Sequence, residues 1–155
     1  MQFHDVYLIG ISLPYKTTHK NNQSSKDCSM LWEKFENEKI QQKIPYKLSN
    51  ELFAVYHDYE KTDGNHFLYF VGCEVALGTP VPEGMTSLKL PSGHYQKFVT
   101  EGPIPDCMAQ VWEEISSAEL EREFSADFEV YDKRAADWSH AIVQVYISIV
   151  DPNKA

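Results

Sequence analysis

The chain alternates between short apolar segments of strand length and two stretches in which apolar residues recur at helical spacing. Val6 to Leu13 is apolar and rich in β-formers, and it reads as a strand. The run Lys16 to Lys26, dominated by Asn, Gln, Ser and Thr, reads as a loop. Asp27 is placed to cap a helix over roughly 28–44. Its apolar positions Met30, Leu31, Phe35 and Ile40, with Trp32, form a stripe, and Pro45 marks its end. Leu52 to Tyr59 alternates, and Phe67 to Leu77 is nearly continuous in apolar and β-forming residues. The link Glu60 to Asn65 contains Asp63-Gly64, so these two runs predict a hairpin with a loop longer than two residues.

The plan then repeats. After a linker with Pro80, Pro82 and Gly84, strands are expected over Thr86 to Leu90 and His94 to Thr100. A second helix fits roughly 104–122, opened by Pro105 and Asp106 and carrying Met108, Val111, Trp112 and Ile115. Phe124 to Tyr131 reads as a strand, Asp132–His140 as a polar loop, and Ala141 to Val150 as a last strand. The halves match in places. Leu31-Trp32-Glu33-Lys34 corresponds to Val111-Trp112-Glu113-Glu114, and Phe53-Ala54-Val55-Tyr56 to Phe128-Glu129-Val130-Tyr131. Two pseudo-repeats, roughly 1–79 and 80–150, would share one domain. In that alignment a glutamate stands in the second half where the first has alanine.

Length and charge narrow the partners. The 155 residues allow one domain, or two very small ones. Fourteen Lys and Arg against 23 Asp and Glu give a net charge of −9, which argues against direct nucleic-acid binding and against docking on an anionic membrane. No apolar stretch is long enough to span a bilayer, and the N-terminus lacks the basic start of a signal peptide. Cys28, Cys73 and Cys107 are odd in number and far apart, so neither a disulfide framework nor a cysteine zinc site is expected, and a reducing cytoplasm is the default. The histidines show no metal-binding spacing, and no nucleophile elbow, phosphate loop or dinucleotide fingerprint is present. No cofactor or metal is expected.

An ordered set of segments carries a more specific signal. These are Leu-Trp-Glu-Lys-Phe at 31–35, Phe-Ala-Val-Tyr-His-Asp-Tyr at 53–59 and Phe-Leu-Tyr-Phe-Val-Gly-Cys-Glu-Val at 67–75. Val-Pro-Glu-Gly-Met at 81–85, Leu-Pro-Ser-Gly-His-Tyr at 90–95, Phe-Glu-Val-Tyr at 128–131 and Val-Tyr-Ile-Ser-Ile at 145–149 continue it. Together they resemble the GyrI-like effector-binding family, the small-molecule domain also attached to multidrug-responsive transcription regulators. The resemblance implies an α+β fold. Duplicated strand–helix–hairpin units would form one antiparallel sheet, with two helices on one side and an aromatic ligand cleft between the halves. It also implies that Glu129, by its place in the Phe-Glu-x-Tyr strand, faces cationic, lipophilic ligands. His94 in the Gly93-His94-Tyr95 turn departs from the family pattern, and the loop Ala135-Ala136-Asp137-Trp138 has no match in it.

Residue by residue, bland and functional readings stand side by side. Strand alternation puts Glu129 and Tyr131 on one face and Phe128 and Val130 on the other. If the latter face the core, Glu129 points to water like most glutamates. If instead the sheet is apolar under its helices and sheltered on its far face, Glu129 is desolvated there and its pKa rises. Tyr131 and its mate Tyr56 are the better candidates for cleft walls. Tyr69, Tyr95 and Tyr146 also lie on expected strands, and Trp112 and Trp32 sit at matched helix positions.

Three functions compete at this point. The first is a standalone small-molecule-binding protein without a DNA-binding domain, since the chain begins directly in the first strand. The second is a hydrolase of strained electrophiles of the cyclopropanoid type, with Glu129 and Tyr131 or Tyr95 as its catalytic groups. The third is an interaction protein, since some family members act on DNA gyrase.

Overall fold

The computed structural model describes residues 2–3, 5–60, 66–151 and 153, so the expected Asp63-Gly64 turn lies outside the described residues. Among the described residues nine strands form: β1 (Gln2–Phe3), β2 (Val6–Ser12), β3 (Thr17–Thr18), β4 (Leu52–His57), β5 (His66–Glu74), β6 (Thr86–Leu90), β7 (Gly93–Gly102), β8 (Ala126–Tyr131) and β9 (Ala141–Ile149). The helices are α1 (Gln23–Asn37), the single turn α2 (Ile40–Lys43) and α3 (Asp106–Ser117). The fold is α+β, and every strand pairing is antiparallel.

The strand order is β1-β7-β9-β8-β4-β5-β2-β6, with β3 added on β5. Exchanging β1 with β6, β2 with β7, β4 with β8 and β5 with β9 reverses that order and leaves it unchanged. The central pair β4–β8 therefore carries the join between the halves. The outermost strands are exchanged across it. β1 runs into β2 but pairs with β7, and β6 runs into β7 but pairs with β2.

The two sheet faces are buried in different ways. On one face, Leu8, Phe53, Val55, Phe70, Leu90, Tyr95, Phe128 and Tyr146 form a single cluster containing residues from both flanks of the strand order. The sheet closes on itself there without a helix. Where β2 and β5 meet, Gly10 is opposite Gly72, and a Cβ on either would collide with the backbone of the other strand. Only glycine allows that approach.

The helices pack on the other face. Leu31, Trp32 and Phe35 of α1 join Ile9, Ile11, Val71 and Cys73 of β2 and β5. Val111 and Ile115 of α3 pack on Val145 and Ile147 of β9. Each helix thus covers the outer strands of one half, and the central strands β4 and β8 lie in the trough between them.

Several local expectations are corrected. The loop expected over 16–26 contains β3, a 3-10 turn at Lys20–Asn22 and the first turn of α1. Asp27 is not a cap but a buried residue inside α1, accepting bonds from Gln23 Nε2 at 2.9 Å and Tyr15 Oη at 3.2 Å. That pairing lets the polar stretch before it become helix. The helix expected over 28–44 is broken at Lys39, whose left-handed φ of 52° separates α1 from α2. α3 ends at Ser117, short of the expected 122, because the chain turns extended at Ala118 and Arg122 bridges to Ile149.

Candidate functional site

The trough over β4 and β8 holds an open-sided chamber of about 370 Å³, within the usual size of a small-molecule site. The sheet supplies Tyr56 from β4, Tyr69 from β5, and Glu129 and Tyr131 from β8. α1 supplies Cys28 and Trp32, α3 supplies Met108 and Trp112, and the loops add His19, Ile104 and Trp138. Alternation along β8 accounts for the polarity. Phe128 and Val130 face the closed apolar cluster, while Glu129 and Tyr131 project under the helices. The sheltered face is thus the helix-bearing one, contrary to the expectation of a cleft on the far side of the sheet.

Glu129 is 2% exposed. Its Oε2 accepts from Tyr56 Oη at 2.8 Å and from Trp112 Nε1 at 2.8 Å. Its Oε1 accepts from Tyr131 Oη at 2.8 Å. All three donors are neutral. Burial raises the carboxyl pKa above its ordinary value of 4.5, and the bonds from Trp112, Tyr131 and Tyr56 offset only part of that rise. The effect is reciprocal: burial first, then the Glu129 charge, raises the phenols of Tyr56 and Tyr131 well above 10.

A second polar pair lies beside it. Trp32 Nε1 donates to Tyr69 Oη at 2.7 Å. The aromatic walls meet edge to face, with ring centroids 4.9 Å apart for Tyr56 and Trp112, 5.0 Å for Tyr56 and Tyr69, and 5.0 Å for Trp32 and Tyr131. Trp138 closes the outer side, 5.6 Å from Trp32 and 38% exposed. Beyond that wall a wider groove of about 600 Å³ opens, shared by Trp32, Tyr131 and Trp138 and edged by Glu36, Glu51 and Asp132.

A second buried carboxylate, Asp127, stands two residues before Glu129 on β8. Asp127 is fully buried and accepts from Tyr59 Oη at 2.6 Å, Arg122 Nη2 at 2.6 Å and the Ser148 backbone N–H at 2.8 Å. Arg122 also lies over the Phe124 ring, 4.3 Å from its centroid. Burial, with Arg122 second, pushes the His19 imidazole pKa down, so this histidine reaches the chamber neutral.

Of the seven ligand residues expected from sequence, Glu129, Tyr131, Tyr56, Trp112 and Tyr69 converge on the chamber. Tyr95 and Tyr146 do not. Tyr146 stacks on Phe128 at 4.9 Å, and Tyr95 meets Phe128 edge-on at 5.3 Å, both within the closed cluster on the opposite face. The cause is parity. Val145 is opposite Glu129, so the adjacent Tyr146 points the other way. Cys28, Met108, Ile104 and Trp138 were missed. Only Met108 had a usable signal, one helical turn before Trp112. Trp138 lies in the loop that matched no family pattern.

Among the described residues, no helix is long and apolar enough to cross a membrane. The family described as Cass2, integron-associated effector binding protein, matches residues 7–149. The protein YobU of Bacillus subtilis (strain 168), named for a role in transcriptional regulation, is 30% identical over 101 residues. The match covers 63% of this chain and 63% of YobU, so less than two thirds of that relative's length. Among solved structures, SAV2435 bound to tetraphenylphosphonium superposes with a TM-score of 0.79 at 15% identity, covering 99% of this chain and 94% of that one. The integron cassette protein VCH_CASS2 of Vibrio cholerae superposes with a TM-score of 0.71 at 21% identity, covering 97% and 94%. At those identities the superpositions establish a shared fold.

Proposed function

The chain belongs to the Cass2 family of integron-associated effector-binding proteins, and on that footing we propose that it captures lipophilic cations in the aromatic chamber, with Glu129 as their counter-charge. One observation carries this reading. Glu129 is buried among neutral donors, and no Lys or Arg is among the described residues lining the chamber. A charge held that way is costly until a cation arrives. The surrounding rings supply apolar area and cation–π attraction without demanding one ligand shape. The tetraphenylphosphonium held by SAV2435, which shares the fold, supports a ligand of this class.

The donor pattern favours holding charge over moving protons. A hydrolase would need the hydroxyl proton of Tyr56 or Tyr131 free to reach a leaving group, and both are directed at Glu129. The test is a titration of tetraphenylphosphonium into wild type and Glu129→Gln, followed by tryptophan fluorescence. The variant should bind at least about tenfold more weakly, a loss of about 1.4 kcal/mol or more. Equal affinities would end this reading.

A further inference from the structure

The chamber has one further polar commitment, and it lies at Tyr69. Each tyrosine hydroxyl carries a single proton. Those of Tyr56 and Tyr131 are spent on Glu129. The Tyr69 oxygen receives the indole proton of Trp32 at 2.7 Å, and an indole N–H cannot accept one in return. Among the described residues, no protein acceptor takes the proton that Tyr69 itself carries. The residue is 2% exposed and lines the chamber. Burial and the nearby Glu129 charge raise its pKa well above 10, so the proton stays on the oxygen. The bond received from Trp32 polarises the hydroxyl and makes it a better donor.

We propose that Tyr69 donates a hydrogen bond to the bound ligand, so that the chamber selects lipophilic cations carrying an acceptor oxygen beside their aromatic rings. This rests on the cation reading and narrows it. Glu129 recognises charge, and Tyr69 recognises a carbonyl or ether oxygen next to it. A cation without that oxygen still binds but leaves a buried donor unmet, which disfavours it.

Two phosphonium probes of nearly equal size separate the two recognitions: (4-acetylbenzyl)triphenylphosphonium and (4-ethylbenzyl)triphenylphosphonium. Wild type should prefer the acetyl compound by about tenfold. Tyr69→Phe should bind the ethyl compound and show no preference. Infrared spectra of the acetyl probe bound to wild type provide a readout that needs no variant, because its carbonyl stretch should fall to a hydrogen-bonded frequency. Equal affinities in wild type, a preference that survives Tyr69→Phe, or an unshifted carbonyl would overturn the Tyr69 assignment while leaving the cation reading intact. Failure of both probes to bind would overturn the cation reading and this assignment with it.

Discussion

Ala54 and Glu129 are direct partners across the central strands, each the other's counterpart in the two halves of the chain. Because the central pair is antiparallel, the residues nearest the pseudo-two-fold axis must face each other. Two glutamates there would place like charges side by side in a buried trough, which is strongly unfavourable. One half therefore carries the carboxylate, and the other carries a fully buried alanine that leaves it room.

That pairing makes Ala54→Leu informative. The extra carbons would enter the space beneath the Glu129 carboxylate. Overpacking is expected to destabilise the fold by about 1–3 kcal/mol and to abolish tetraphenylphosphonium binding. Urea denaturation and calorimetry on the same sample check both effects. Retained affinity would show that the ligand does not approach this part of the sheet.

The raised pKa of Glu129 has consequences of opposite sign for stability and for binding. The folded chain holds this proton to higher pH than the unfolded chain, so the associated stability is present below about 4.5 and is lost as pH rises through the folded value. A cation favours the ionised form, so affinity climbs with pH over the same window and binding releases a proton. Calorimetry in two buffers of different ionisation enthalpy measures that release. It should be seen in wild type and absent from Glu129→Gln.

Asp127 belongs to the frame of the site and is expected to act on stability. Asp127→Ala leaves the Arg122 guanidinium without its carboxylate and frees the Tyr59 and Ser148 donors together. A cost of about 3–5 kcal/mol is expected from breaking a buried pair of this kind. Denaturant unfolding should show it as a lowered midpoint. A change below about 0.5 kcal/mol, as for a simple surface substitution, would refute the framing role.

Gly72→Ala is expected to be more damaging than its size suggests. The added methyl meets the Ile9 carbonyl, a backbone group that cannot swing aside. Separation of β2 from β5 should appear as faster amide exchange at Ile9, Ile11 and Val71, whereas Gly93→Ala, which meets open space, should change little.

The sequence made the longer strands, both main helices and the place of Glu129 on its strand legible, because strand alternation and the repeated Phe-x-Val-Tyr segment are local signals. It did not show which face of the sheet the helices cover. Alternation puts Glu129 opposite Phe128 but cannot say which side closes on itself. Tyr95 and Tyr146 resembled Tyr56 in every local respect, and only strand register separates them. Trp138 was illegible for a different reason: its place beside Trp32 depends on where a loop returns from β8 to β9.

The exchanged outer strands bear on how this chain reaches its structure in time. Phe3 waits for Gly93, Val6 waits for Leu90, and Ala54 waits for Glu129. Strands β4, β5 and β2 can pair within the first half, but the central seam and both outer edges must wait until the second half has been made. Such distant pairings belong to slow folders, on the order of milliseconds to seconds, and the amides across the β4–β8 seam should gain their protection only with the second half.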